Sequence, residues 1–132
     1  DIFKFDESKN NVCFYNQDWY FKEDFFFKNL NKSKWVLINK KINEKTRGLD
    51  PSYFSKINLL SSIEYTFAFF TYYLLTNDYL WPNDYIWTND FDSHNDQIYV
   101  GRYFDLTKKA KNGFSIHRHL SIKQNYGILE NG

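Results

Sequence analysis

Potential metal ligands recur at every second position in residues 89–96, NDFDSHND. They are Asp90, Asp92, His94 and Asp96. Alternating oxygen ligands surround the hard cation in calcium-binding loops, so a single divalent metal is the cofactor that this loop would hold. The match to an EF-hand is incomplete, because Asn95 stands at the glycine position and Gly101 replaces the bidentate glutamate.

His117 and His119 form a second candidate metal site. On a β-strand their side chains would project from the same face about 7 Å apart, and two converging imidazoles can share a transition metal. The third ligand would come from the loop at 89–96, namely from His94, Asp92 or Asp96. The competing interpretation is an ordinary half-exposed strand face that stacks against Tyr99 and Tyr103.

Tryptophan and tyrosine are dense between residues 72 and 103. The candidate binding residues are Trp81, Tyr85, Trp87, Tyr99 and Tyr103. Both residue types dominate the hot spots of protein interfaces, which makes a protein the favoured partner. Flat rings also stack on sugars while amides bond hydroxyls, so a glycan is the alternative partner. The remaining interpretation is that these rings fill the core of a chain with no Met and little Val.

Charge and motif composition favour a binding protein over an enzyme. The formal net charge is +1, so nucleic acid is not a favoured partner. The sequence has no glycine-rich phosphate loop, no G-x-S-x-G and no H-E-x-x-H.

The single cysteine, Cys13, cannot form an internal disulfide. A cytoplasmic location is therefore favoured, and a disulfide-free secreted protein would have the same composition.

Asn-Asp pairs begin at residues 77, 83, 89 and 95. A hexapeptide solenoid is excluded, because it needs many similar turns and Pro82 interrupts the first interval. Asn and Asp bond to their own backbone and favour turns. The pairs therefore predict the end of a helix, a turn, and the two ends of the loop at 89–96.

One buried helix dominates the predicted fold, from about residue 62 to residue 76. Ser61 followed by Glu64 is the pattern of a capping box at its start. The predicted buried stripe consists of Ile63, Phe67, Phe70 and Leu74. Further aromatic residues widen the stripe, so most of the helix surface is predicted to be covered.

The C-terminal half alternates apolar and polar residues and predicts an antiparallel β-sheet. Its strands are predicted at about 85–88, 97–104 and 113–122, with a short N-terminal strand near 34–38. A hairpin that closes near Lys109 places Val100 opposite Arg118. Residues 1–132 are predicted to form a single α+β domain.

These patterns favour a non-catalytic macromolecular binding protein of an inhibitor or immunity type, with a composition typical of an AT-rich bacterium, a phage or a mobile element. One alternative is a glycan-binding module with a calcium loop at 89–96. The other is a metal-binding protein or metalloenzyme that uses His117 and His119. The most apolar run, at 63–75, is shorter than the ~20 residues that cross a bilayer, so no membrane span is predicted.

Overall fold

The computed structural model describes residues 18–30, 33, 35–103, 113–118 and 121–130. Over these residues the chain forms one α-helix, α1 (Ser62–Thr76), and a four-stranded sheet. The strands are β1 (Tyr85–Phe91), β2 (Gln97–Tyr103), β3 (Gly113–His117) and β4 (Tyr126–Gly127). The predicted α+β class is confirmed. Within the described ranges, no helix has the length and apolar character to cross a membrane.

Helix α1 begins and ends where the sequence predicts. The Ser61 hydroxyl accepts a hydrogen bond from the Glu64 backbone N–H at 3.4 Å, and the Glu64 carboxylate accepts one from the Ser61 N–H at 2.8 Å. This capping box satisfies backbone donors that have no acceptor within the helix. At the other end Asn77 is left-handed, with φ 56°, and its N–H bonds to the Tyr73 carbonyl at 2.8 Å. A left-handed residue there ends the helix.

The buried face of α1 differs from the predicted stripe. Phe70 is buried as predicted, but Phe67 and Leu74 are 54% and 56% exposed. The covered face centres instead on Tyr65 and Phe69, which are fully buried. Because aromatic residues occur on every side of this helix, their spacing alone does not identify the side that packs against the sheet.

The sheet is mixed, with the strand order β3-β2-β1-β4. β2 pairs antiparallel with both β1 and β3, whereas β4 lies parallel to β1 and pairs Tyr126 with Tyr85. The prediction of an antiparallel sheet is therefore corrected at this edge. β4 has two residues, too few to show the alternation by which strands are recognised in a sequence.

The pairing of β2 with β3 is displaced by two residues from the predicted register. Val100 faces Ile116 rather than Arg118, and Tyr99 faces His117. Side chains alternate with a period of two, so this displacement keeps each residue on its predicted face of the sheet. β3 also ends at His117 rather than at residue 122, and Arg118 lies outside the strand.

The strand predicted near 34–38 does not form over the described residues 35–38. This apolar run lies at the surface, where Trp35 is fully exposed and Leu37 is 67% exposed. The run joins none of the described strands of the sheet, whose order is β3-β2-β1-β4. The side chains of residues 35–37 therefore lack the apolar neighbours against which a buried strand packs. Composition alone predicted a strand here, and the prediction is wrong.

Each face of the sheet carries its own apolar cluster, which gives the fold three layers. On the α1 side the strands contribute Ile86, Ile98, Val100, Phe114 and Ile116. On the other side they contribute Tyr85, Trp87, Tyr99 and Tyr126. This second cluster is covered by Phe54, which belongs to the 3-10 turn Pro51–Phe54, and by Leu59 and Ile128.

Candidate functional site

Four of the five aromatic residues predicted to form a binding surface lie in the core. Their exposed fractions are 1% for Trp81 and Tyr99, 4% for Trp87 and 7% for Tyr85. The side chain of Tyr103, the fifth, lies outside the described part of the structure. The prediction of an exposed surface is therefore corrected for the four described rings, which fill the core that Val and Met would occupy in an average chain.

Tyr85, Trp87, Tyr99 and Tyr126 form a continuous aromatic cluster on the sheet face opposite α1. Neighbouring ring centroids in this cluster are 4.9–6.0 Å apart. Such distances suit favourable edge-to-face contacts. The buried indole N–H of Trp87 makes no hydrogen bond to a described residue.

His117 borders the same cluster. Its ring centroid lies 5.6 Å from that of Tyr85 and 5.8 Å from that of Tyr99. Burial lowers the pKa of His117 to about 4, so its imidazole is neutral at pH 7. His119, the second ligand of the predicted metal site, lies outside the described residues. The two-histidine site stays a prediction.

Asp92 organises the connection between β1 and β2. The predicted loop at 89–96 is shorter than expected, because Asn89 and Asp90 lie within β1. The Asp92 Oδ1 accepts hydrogen bonds from the N–H groups of His94 and Asp96 at 2.9 and 2.8 Å. Its Oδ2 accepts one from the Arg118 guanidinium at 2.7 Å. Burial alone would raise the pKa of Asp92, but the hydrogen bonds from Asp96, Arg118 and His94 outweigh it and lower the pKa below its ordinary value. The carboxylate thus closes a turn within the loop.

Arg118 ties this loop to the N-terminal part of the described chain. Its guanidinium also donates to Glu23 Oε1 at 3.2 Å and lies over the Trp19 ring, 4.3 Å from a ring centroid. The second oxygen of Glu23 accepts a hydrogen bond from the Ser93 N–H at 2.7 Å. Glu23 and Asp92 are each 7% exposed, and carboxylates so buried are tolerated only when they are paired.

Asp90 links β1 to the start of α1. Its Oδ2 accepts hydrogen bonds from the Ser62 N–H at 2.7 Å and from the Ser62 hydroxyl at 2.6 Å. Its Oδ1 forms an ion pair with Lys28. A carboxylate at a helix N-terminus satisfies a backbone donor and interacts favourably with the helix dipole. The role of Asp90 in the described structure is therefore to position α1.

The described residues contain no group of three or more histidine, cysteine, aspartate or glutamate side chains arranged to hold a metal ion. The carboxylates of Asp90 and Asp92 already bond to cationic side chains and backbone donors. His94 points its Nδ1 to within 3.8 Å of Asp92, and its side chain is 70% exposed. The Asp96 N–H takes part in closing the loop. Calcium binding at 89–96 stays a prediction.

Large apolar side chains reach the surface at residues 35–37, here called the exposed segment. The relative exposures are 103% for Trp35, 37% for Val36 and 67% for Leu37. Sequence reasoning missed these residues as binding candidates, because a short run of Trp, Val, Leu and Ile has the composition of a buried strand.

The exposed segment continues into residues that are held firmly by the rest of the protein. Ile38 packs against the apolar cluster on the α1 side of the sheet. The Asn39 carbonyl accepts a hydrogen bond from the indole N–H of Trp81 at 3.2 Å. The Asn39 side-chain amide donates to the Glu130 carbonyl. Residues 35–37 are therefore presented from a fixed base.

Lysines flank the exposed segment on both sides in the sequence. Between residues 32 and 45 they are Lys32, Lys34, Lys40, Lys41 and Lys45. Glu44 is the only acidic residue in that range. Lys40 lies over the Tyr72 ring of α1, with its Nζ 4.9 Å from the ring centroid. This local excess of positive charge is the sequence signal that could have identified the site, and the near-zero net charge of the whole chain conceals it.

Comparison with known proteins gives no relative. The chain matches no protein-family model, no curated protein and no solved structure. Function is therefore inferred from the sequence and from the chemistry and geometry of the described residues.

Proposed function

We propose that the protein is a non-catalytic binding protein that engages a protein partner through the exposed segment, residues 35–37. The complete exposure of Trp35, beside Leu37 at 67%, is the observation that carries this proposal. Tryptophan is strongly enriched at interface hot spots, and its exposure to water is unfavourable without a partner. Trp81 and Trp87 are buried, so exposure is not a general property of tryptophan in this chain.

The way the segment is presented supports the proposal. Ile38 and Asn39 are fixed by the core and by hydrogen bonds to Trp81 and Glu130. A partner that binds residues 35–37 would therefore not have to order the backbone that follows them. A smaller ordering cost leaves more of the interaction free energy as affinity.

The flanking positive charge supports a partner with an acidic surface. Five lysines and one glutamate lie between residues 32 and 45, namely Lys32, Lys34, Lys40, Lys41, Lys45 and Glu44. Complementary charge steers encounter and suppresses wrong partners. The partner surface that fits is an apolar pocket for Trp35 surrounded by aspartate and glutamate.

The test is affinity capture from the source organism with the wild-type chain and with the double variant Trp35→Ser, Leu37→Ser. A hot spot of about 2 kcal/mol corresponds to roughly a 30-fold loss of affinity, so the double variant should lose the partner. Because both side chains are exposed, its free energy of unfolding should stay within about 0.5 kcal/mol of the wild type.

Tyr53→Ser is the matched control, because Tyr53 is 74% exposed and lies outside the exposed segment. A specific partner should be captured equally by the wild type and by Tyr53→Ser. If the double variant captures the same partner with the same affinity, the exposed segment is not the binding element and the proposal is wrong.

A further inference from the structure

An open groove of about 460 Å³ lies between two parts of the chain. One side is the 3-10 turn Pro51–Phe54 and the residues that follow it, and the other is the connection from β1 to β2. The groove lies on residues other than 35–37, so nothing about it depends on the proposed protein partner. Ligand sites are typically concavities of roughly 300–1,000 Å³ that combine an apolar lining with a few placed polar groups. The groove meets both conditions.

The apolar part of the groove has a rigid floor and an accessible wall. Phe54 and Leu59 line it and are 5% and 3% exposed, because they also cover the aromatic cluster of the sheet. Phe91 and Ile57 line it as well, at 47% and 46% exposed. Phe91 thus offers a partly exposed ring to a ligand in the groove, and the apolar face of a sugar stacks on such rings.

The polar part of the groove comes from the end of β1 and from the connection between β1 and β2. Asn89 and Asn95 line it, and both are exposed. Asn95 is left-handed, with φ 66°, and its N–H bonds to the Asp92 carbonyl at 3.0 Å. An amide side chain both donates and accepts hydrogen bonds, which matches the hydroxyl groups of a sugar. The Asp92 turn therefore fixes the backbone from which Asn95 presents its amide.

Charge excludes one large class of ligands. Asp50 and Asp96 line the groove, and no lysine, arginine or histidine does so among the described residues. The Asp50 Oδ1 is already engaged by the Ser52 N–H and hydroxyl at 2.9 and 2.6 Å. A phosphate, sulfate or carboxylate ligand would meet two carboxylates of the lining and no lining cation among the described residues, which is unfavourable.

We propose that this groove binds a neutral oligosaccharide. The sugar packs its apolar face against Phe91 and Ile57 and bonds its hydroxyls to the side chains of Asn89, Asn95 and Asp96. The groove is open rather than closed over, so it accommodates part of a longer chain. No metal ion takes part in this recognition, which separates it from a calcium-dependent glycan site.

The test is an NMR titration of the ¹⁵N-labelled chain with three neutral probes: the trimer of N-acetylglucosamine, maltotriose and cellotriose. At least one should bind with a dissociation constant below about 1 mM. Its chemical-shift changes should centre on Asn89, Phe91 and Asn95. Binding should persist in the presence of a calcium chelator.

Two variants and one control locate the site. Phe91→Ala removes the stacking ring, and Asn95→Gly removes the amide while keeping a residue that tolerates positive φ. Each should weaken binding at least about tenfold, which is the order expected for one lost contact. Tyr53→Ala is the control for non-specific stacking, because Tyr53 is exposed but does not line the groove. The affinity of Tyr53→Ala for the sugar should equal that of the wild type.

Three outcomes would overturn the proposal. The first is no neutral probe binding below about 1 mM. The second is that the trimer of glucosamine binds more tightly than the trimer of N-acetylglucosamine. The two sugars share one backbone, but glucosamine carries free, positively charged amino groups, so this preference would identify a site for cations. The third is binding that Phe91→Ala and Asn95→Gly leave unchanged. None of these results bears on capture of a protein by residues 35–37.

Discussion

Arg118 is the residue on which the described structure concentrates most of its buried charge. One guanidinium bonds to Asp92 in the loop at 89–96 and to Glu23, and it stacks on Trp19. No pattern in the sequence indicated this role, since Arg118 was predicted to face Val100 within a strand. β3 ends one residue earlier, and the side chain is then directed to the loop.

Arg118→Leu should destabilise the fold by about 2–4 kcal/mol, because it leaves two buried carboxylates without their cation. The arginine side chain is 21% exposed, which places the expected loss below that of a fully buried pair. Urea denaturation followed by tryptophan fluorescence measures it. Lys41→Leu, at an exposed site, should change stability by less than about 0.5 kcal/mol. Equal effects of the two changes would contradict the pairing described here.

His117 predicts a specific acid sensitivity. Its pKa is about 4 in the folded chain and near the ordinary 6.5 in the unfolded chain, because burial disfavours the charged imidazole. Between these pH values unfolding takes up a proton, so stability falls as pH is lowered from 6.5 to 4, by about 2–3 kcal/mol in total.

The measurement is the free energy of unfolding of the wild type and of His117→Leu at neutral pH and near pH 4. The difference between the two proteins should shift by about 2–3 kcal/mol in favour of the variant as the pH is lowered. A difference that does not vary with pH would show that His117 is not buried in its neutral form.

At the scale of elements, local sequence patterns correctly predicted the features that depend on residues close together in the sequence. The capping box of Ser61 and Glu64 and the turn-forming Asn77 fixed both ends of α1. The alternation of apolar residues predicted the faces of β2 and β3. The register of that pair, the parallel β4 and the exposed residues 35–37 depend on contacts between segments far apart in sequence. No local pattern specifies such contacts.

Gly101 shows how closely two strands approach. A Cβ atom at this position would lie 2.2 Å from the Asp84 carbonyl oxygen and 2.7 Å from the Tyr85 ring. Because the first of these is backbone, it cannot move without displacing β1. Gly101→Ala should therefore cost about 2–3 kcal/mol, the upper part of the usual range for overpacking in a core.

Gly48→Ala provides the comparison for thermal or urea denaturation of both variants. Gly48 has φ 71°, but the atoms that its Cβ would meet belong to the flexible Gln124 side chain. The expected cost is about 1–2 kcal/mol, which is the strain of a left-handed alanine. A larger effect at Gly48 than at Gly101 would contradict the tight β1–β2 contact.

At the scale of the whole molecule, the aromatic residues divide between a buried set and an exposed one that includes Trp35. The rings of Trp81, Tyr85, Trp87 and Tyr99 pack the core, although the sequence favoured a surface role for them. The candidate binding residues 35–37 are instead surrounded in sequence by lysines. The sequence could not predict this division, because the number and spacing of aromatic residues are the same whether the rings pack in the core or are exposed to a binding partner.

The local charge predicts a salt effect on partner binding. If residues 32–45 meet an acidic surface, raising the ionic strength from about 0.01 to 0.15 M shortens the screening length from about 30 to 8 Å and should slow association at least several-fold. Dissociation should change much less, because it reports the desolvated contacts of Trp35. Stopped-flow or surface-plasmon measurements with the captured partner test this. An association rate that does not vary with salt would contradict the proposal that the partner surface is acidic.

The strand order has a consequence for how the protein is made. β1 and β2 can pair as soon as both have been synthesised, but the outer edge of β1 waits for residues 126–127, which arrive last of the four strands. Until then the backbone groups of Tyr85 and Ile86 on that edge remain unpaired, and open edges of this kind are where nascent chains stick to one another. A chain that ends before Tyr126 would therefore leave this edge of β1 open and should aggregate more readily than a chain that includes β4.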